Sequence, residues 1–233
     1  MQRYFSNELN KDKFILSNDD WYHIKTVMRM NDKDKIEVVY NKEVYLCEID
    51  NTNIKVIKKF ENTSDNLVEV VLVIPLLREN KMDLILQKAT ELGVSKIIPV
   101  VTERSIIELK GEKEIKKITR WERICKEAAE QSHRNIIPSI MNIQRLSSLE
   151  KMDGLKIVCS TKEKNQNLKL FLTKHKKYDR IIIVVGPEGG LSDKEENYLI
   201  DIGFNPVTLG NRIMRVETVP IFILSVLNYE YME

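Results

Sequence analysis

The chain has 233 residues, 42% of them hydrophobic and 31% charged, and its 37 lysines and arginines against 35 aspartates and glutamates leave a net charge of +2. That is enough apolar material for one large domain or two modest ones, and too even a balance for bulk charge to mark a nucleic-acid binder, so any RNA surface must be a local patch of Lys and Arg. The 3 cysteines (Cys47, Cys125, Cys159) and the 3 histidines are scattered, residues 1–13 are polar with no signal-peptide core, and no apolar run reaches membrane-spanning length, which together read as a cytoplasmic protein with reduced thiols, no metal site and no membrane segment.

In chain order, residues 1–66 read as a small β-rich domain. A helix is predicted over 17–30, with Trp21, Ile24 and Met28 on one face. Strand-like runs follow at 36–40, 44–49 and 54–60, separated by Asn-containing turns, and short strands this close suggest a small barrel. Residues 61–66 are polar and read as a linker.

Strands and helices then alternate over 67–233. The spacing predicts a strand at 68–77, then a helix at 81–92 that faces the core with Met82, Ile85, Leu86, Ala89 and Leu92 and stops at Gly93. A strand at 96–101 precedes a long helix at 112–134 with Ile118, Trp121, Cys125 and Ala128 inward. Strands at 155–160 and 180–185 flank a helix near 167–174. This is the pattern of an α/β fold with a largely parallel sheet.

Two glycine-bearing loops close the chain. Val184-Val185-Gly186-Pro187-Glu188-Gly189-Gly190-Leu191-Ser192 follows a β-branched run, and Ser192 with Glu195 forms a capping box that should start a helix. Residues 206–209 read as a short strand broken by Gly210. Thr218 can then cap a helix with Pro220 in its first turn, apolar nearly all round and so buried in the core or against a partner chain. Strand, glycine loop and helix N-terminus make a small-molecule site at the carboxyl ends of strands, or only a tight turn. Neither Gly-Lys-Ser/Thr nor Gly-x-Gly-x-x-Gly occurs, which argues against a P-loop or dinucleotide site.

Other residues read two ways. Lys88 and Glu91 share a helix face, as a surface pair or as part of a site. Arg104 and Ser105 follow a strand where its carboxyl end should open towards the site. Glu130, Gln131, His133 and Arg134 end a helix, where such residues are usually only solvated, and His133 has no visible acidic partner. Arg212 and Arg215 can read phosphate or pair with Glu217 or Glu188. Glu188 is the better functional carboxylate, because strand ends converge there.

Gly186-Pro187-Glu188-Gly189-Gly190, followed by Leu209-Gly210-x-Arg212-Ile213-x-Arg215-x-Glu217-Thr218, resembles the RsmE family of bacterial 16S ribosomal RNA uracil-N3 methyltransferases. Arg3-Tyr4-Phe5 and His23-Ile24-x-x-Val27-Met28-Arg29 resemble its PUA-like start, and residues 88–94 and 127–134 match further family stretches. The family has glycine turns where this chain has Lys33 and Asn41-Lys42. The resemblance implies a PUA-like RNA-binding β-barrel domain over 1–66 and a SPOUT α/β domain over 67–233 whose C-terminal chain threads a trefoil knot.

It also implies S-adenosylmethionine as methyl donor, 16S rRNA or the small ribosomal subunit as substrate, and a homodimer. The cofactor would lie on Val185, Gly186, Pro187, Glu188, Gly189 and Gly190, on Leu209, Gly210, Ile213, Met214 and Thr218, and on Thr161 at the rim. Arg215, Glu217 and Glu188 are the candidate catalytic residues. Arg3 and Arg29 would hold RNA phosphates, with Lys88, Glu91, Arg104, Gln131, Arg134 and Arg212 as further substrate contacts. Uracil N3 lies on the Watson–Crick edge, so the target uridine must be unpaired and turned into the pocket. The alternatives are a ribose 2′-O-methyltransferase of the same superfamily, a non-catalytic RNA-binding module in ribosome assembly and an unrelated nucleotide-binding enzyme.

Overall fold

A computed structural model describes residues 1–61, 68–105, 111–175 and 178–231. The expected linker lies outside them beyond Glu61. The chain divides into two compact units, Met1–Asp65 with Ala129–Ile136, and Asn66–Ala128 with Ile137–Glu233.

The first unit holds β1 (Arg3–Phe5), β2 (Glu8–Asn10), β3 (Lys13–Ile15), α1 (Asn18–Tyr22), β4 (Lys35–Tyr40), β5 (Glu43–Asp50) and β6 (Asn53–Lys59). Its sheet runs β1-β4-β5-β6-β3-β2, antiparallel throughout except β1 against β4. Strands β1 to β3 are absent from the expectation above. Each has three residues, too few for a period of two to register, and partners distant in sequence hold two of them, Arg3 opposite Glu37 and Lys13 opposite Lys55.

Ser17 caps α1 in a capping box with Asp20. The helix then widens into a π-turn, His23–Val27, where the Met28 N–H donates to the His23 carbonyl at 2.8 Å. The extra residue swings Met28 out to solvent, and Arg29 leaves the helix at φ 53°. The expected helix over 17–30 with Met28 inward is corrected accordingly, whereas Ile24 is fully buried among Tyr4, Phe14, Ile36, Val38 and Ile49. Between β4 and β5, Asn41 and Lys42 have φ 50° and 66°, the mirror-image hairpin turn built without glycine.

The second unit holds β7 (Glu69–Pro75), α2 (Glu79–Glu91), β8 (Lys96–Val101), α3 (Glu112–Gln131), β9 (Ser139–Ile140), β10 (Gln144–Arg145), β11 (Leu155–Cys159), α4 (Leu168–Lys174), β12 (Arg180–Val184), α5 (Asp193–Asp201), β13 (Asn205–Val207) and α6 (Thr218–Tyr231). Its parallel sheet runs β10-β8-β7-β12-β11-β13, with β9 also beside β8. The last three residues of α3 belong to the first unit. This helix stops at Gln131 rather than Arg134 because His133 takes φ 58°.

Helices cover both sheet faces, so the central strands are continuous apolar runs. Leu72 and Ile74 face a cluster with Met82, Trp121, Phe171 and Leu224, while Val71 and Val73 face another with Ile182, Leu199 and Phe204. Ile223, Leu224 and Leu227 of α6 are buried, and the helix packs against α2. Phe222 and Tyr229 remain exposed, so α6 is apolar all round without being buried all round in the single chain. Thr218 is its first helical residue rather than its cap, and the strand expected at 206–209 is shifted to 205–207.

Candidate functional site

Because the strands of the second unit are parallel, every segment leaving a carboxyl end emerges on one edge of the sheet. Strand β12 lies between β7 and β11, so the first glycine loop emerges mid-edge, where open α/β sheets bind ligands. The loop turns tightly, with the Gly190 N–H donating to the Pro187 carbonyl at 2.8 Å. At Gly186 a Cβ would lie 3.1 Å from the Leu191 nitrogen and 3.2 Å from its Cγ, so a side chain there would force Leu191 away.

The far end of the loop is held by the expected capping box. Ser192 Oγ accepts from the Glu195 N–H and Glu195 Oε2 accepts from the Ser192 N–H at 2.9 Å. The other oxygen of Glu195 accepts from the Glu103 N–H at 2.8 Å, which ties α5 to the segment after β8. From that segment Arg104 donates to the Gly189 carbonyl. Arg104 therefore shapes the first loop, a role its position after a strand only hinted at.

The second loop, after β13, is more open. Gly210 takes φ 116°, with nothing within 4 Å of where a Cβ would stand. Ile213 is 87% exposed beside half-buried Met214 and Leu209. Bare backbone next to unpartnered apolar surface suits a flat heterocycle with main-chain hydrogen bonds, so these residues fit the adenine end of a nucleoside cofactor.

The two loops meet at Lys81, in the first turn of α2. Its Nζ lies 3.1 Å from Glu188 Oε1 and 3.4 Å from Glu217 Oε2. The longer contact is an ion pair without hydrogen-bond alignment, because Glu217 Oε2 is buried and has no hydrogen-bond partner among the described residues. Glu217's own backbone N–H, then Lys81 and Arg215, hold its carboxyl below the usual carboxylate range against partial burial. The Glu188 and Glu217 carboxylates push the Lys81 ammonium up. Lys81 was not among the expected site residues. The available signal was its place, since a cation in a helix's first turn opposes the helix dipole and needs a compensating anion.

A second unexpected cluster holds the segment after β11. Ser160 Oγ donates to the buried Glu196 carboxylate and accepts from the N–H groups of Lys162 and Glu163. Lys162 Nζ is 2.8 Å from Glu196 Oε2 and 2.7 Å from Asp193 Oδ1, and these carboxylates push its ammonium up. Thr161 is exposed between the anchored neighbours. The signal for this cluster was Glu196 itself, a carboxylate three positions before Leu199 on the inward face of α5.

The remaining expected residues separate. Val185 and Pro187 are buried at the base of the first loop, Thr218 is exposed at the start of α6, and Arg212 and Arg215 are exposed on the second loop. Lys88 and Glu91 lie roughly 10 to 15 Å along α2 from Lys81. They pair with each other at 2.8 Å, so the bland reading of that pair is the one the geometry supports.

In the first unit, Arg29 and Gln131 are exposed. Arg3 is only 7% exposed, and its guanidinium is bound to Glu37 at 2.7 Å, to Asn135 Oδ1 at 2.7 Å and to the His133 carbonyl. Arg3 is thus a structural tie and not an open phosphate contact. Arg134 is buried as well, which corrects its reading as an RNA-facing residue. His133, for which the sequence showed no acidic partner, meets one from β4: Glu37 Oε2 is 3.3 Å from its Nδ1. Among the described residues no His/Cys/Asp/Glu group could hold a metal, and no helix is long and apolar enough to cross a membrane.

Known proteins share this architecture from end to end. The RNA methyltransferase domain family matches residues 63–228 and the RNA methyltransferase PUA domain family residues 16–59. The ribosomal RNA small subunit methyltransferase E of Mesomycoplasma hyopneumoniae is 36% identical over 97% of this chain and 98% of its own length. That of Bacillus subtilis is 33% identical over 99% and 97%. A solved ribosomal RNA small subunit methyltransferase E of Neisseria gonorrhoeae, bound to S-adenosyl methionine, superposes with a TM-score of 0.87 at 26% identity, covering 99% of this chain and 98% of that one. A Legionella pneumophila protein solved with the same cofactor gives 0.86 at 25% identity, with coverages of 97% and 96%.

Proposed function

We propose a reaction from one premise: the chain belongs to the ribosomal RNA small subunit methyltransferase E family. The reaction is methylation of uracil N3 in 16S ribosomal RNA of the small subunit, with S-adenosylmethionine as donor. The observation that carries it is the meeting of the two glycine loops at Lys81, on the carboxyl edge of the parallel sheet. When bound, the cofactor supplies an electrophilic methyl group on a sulfonium sulfur.

Leu209, Gly210, Ile213 and Met214 would hold its adenine. Residues 185–190, with Thr161 and Thr218, would supply main-chain and rim contacts. Uracil N3 carries a proton that must leave. The lowered pKa of Glu217 makes its carboxylate a weak base, so Glu217 serves better to orient cations than to take the proton. The proton is then lost to water, and Arg215, near enough to Glu217 to help hold it ionised, stabilises the uracil anion that remains.

The domain assignment of this reading is a PUA-like RNA-binding unit over 1–66 and a knotted SPOUT catalytic unit over 67–233. The first unit carries a cleft of about 430 Å³ lined by Lys11, Lys13, Phe14 and Trp21 among others. Basic and aromatic side chains together suit single-stranded RNA, and Arg29 and Arg212 offer exposed guanidinium groups to phosphate. The protein acts in the cytoplasm as a homodimer, with Phe222 and Tyr229 of α6 at the contact.

The test is methyl transfer from labelled S-adenosylmethionine to small subunits from a strain lacking this protein, followed by nucleoside analysis. N3-methyluridine with the wild-type protein, and none with folded Gly189→Trp, is the expected outcome. A 2′-O-methylated nucleoside, or no transfer, would refute the assignment.

A further inference from the structure

We propose that Lys81 is a positioning residue for the cofactor, gathering Glu188 of the first glycine loop and Glu217 of the second onto the first turn of α2 so that both loops are set before the cofactor arrives. The inference rests on the methyltransferase reading above. It begins with three chain segments distant in sequence whose only shared charged point in the described site is one ammonium, at 3.1 Å and 3.4 Å from the two carboxylates.

The location is unfavourable for a lysine by itself. The N-terminus of a helix repels cations and attracts anions, and the cap residue of α2, Arg78, makes no side-chain capping bond. Two carboxylates brought to that helix end would satisfy its dipole but repel each other. One lysine between them removes the repulsion and fixes their separation.

Glu217 Oε2 is buried, has no aligned hydrogen bond among the described residues and lies within ion-pair distance of Lys81. The side chains of Lys81 and Glu188 are 28% and 43% exposed, so the ion pairs add little to global stability. Their effect is instead local, on the relative placement of two loops that must close on the same ligand. Loss of preorganisation of this kind appears in affinity rather than in folding.

S-adenosylhomocysteine is the probe, titrated by calorimetry into the full-length wild type, Lys81→Met and Lys81→Arg. Lys81→Met should bind about tenfold more weakly with a nearly unchanged melting temperature, and Lys81→Arg should recover to within about threefold of wild type.

The pH dependence separates positioning from general loosening. The groups that bear on Glu217 are Lys81 from α2, Arg215 from its own loop and its own backbone N–H, while Lys81 also faces Glu188. Without Lys81 there is no contact for protonation of the carboxylates to break, so the acid-side loss of affinity seen in wild type should flatten in Lys81→Met. If Lys81→Met fails to fold, Glu188→Gln breaks one arm of the same contact on an exposed loop and should also weaken binding.

Binding by Lys81→Met within about twofold of wild type and with the wild-type pH profile, or undiminished binding by Glu188→Gln where that variant stands in, would overturn the inference while leaving the methyltransferase reading intact. A wild-type protein that binds no S-adenosylhomocysteine would overturn that reading, and this one with it.

Discussion

Arg3 shows how far a residue's chemistry depends on what the fold puts beside it. An arginine near a chain end, in a domain read as RNA-binding, suggests phosphate, yet here it is buried against Glu37, Asn135 and a carbonyl. Removing one partner of a buried pair strands the other charge, so Arg3→Met should lower unfolding free energy by about 3 kcal/mol in urea titrations, with no compensating gain in RNA affinity. Burial pushes the Cys47 and Cys159 thiols up to about 12, so neither holds reactive thiolate at neutral pH. Iodoacetamide should label Cys47 only after denaturation, and labelling of Cys47 in the native protein would contradict its burial. Glu217 has a lowered carboxyl, so the stability it contributes is present above the ordinary carboxylate range and is lost as pH falls through its depressed value. Denaturation midpoints against pH should therefore show a shallower acid-side loss in Glu217→Gln.

At the scale of elements, local rules predicted most of what formed. The capping box at Ser192, the stop at Gly93 and the inward faces of α2 and α3 all appear where spacing placed them. Departures occur where backbone geometry is unusual. The π-turn after α1 turns Met28 outward, and His133 at positive φ ends α3 early. In the β4–β5 hairpin, Lys42 at φ 66° carries a side chain in a conformation that costs about 1 kcal/mol outside glycine. Lys42→Gly should therefore raise the stability of the protein by about that amount, measured as an increased denaturation midpoint. An unchanged or lower midpoint would mean that the unfolded-chain entropy of glycine cancels the relief.

At the scale of the molecule, three separate cores among the described residues divide between the two units, one in the first and two in the second. The first unit closes a small sheet around Ile24 and Tyr4, and the second covers both faces of a parallel sheet. Helix α6 still exposes Phe222 and Tyr229 after packing on α2. Such residues on an apolar helix fit a self-association surface. Light scattering at micromolar concentration should give twice the chain mass, and Phe222→Arg should reduce it to the mass of one chain. A wild-type monomer would remove the dimer from the proposed function.

The sequence by itself determined the α/β class, the two glycine loops and the order of the main strands and helices, because these depend on contacts within a few residues: caps, apolar spacing and glycine turns. It also carried the family motifs, whose spacing is a property of the chain. Strands β1 to β3, the pairing of His133 and Arg3 with Glu37, and the gathering of Glu188 and Glu217 on Lys81 were decided only in three dimensions. Each depends on residues far apart in the chain. Which carboxylate meets which cation is set by the register of strands and the crossing of helices, and no local pattern encodes that meeting.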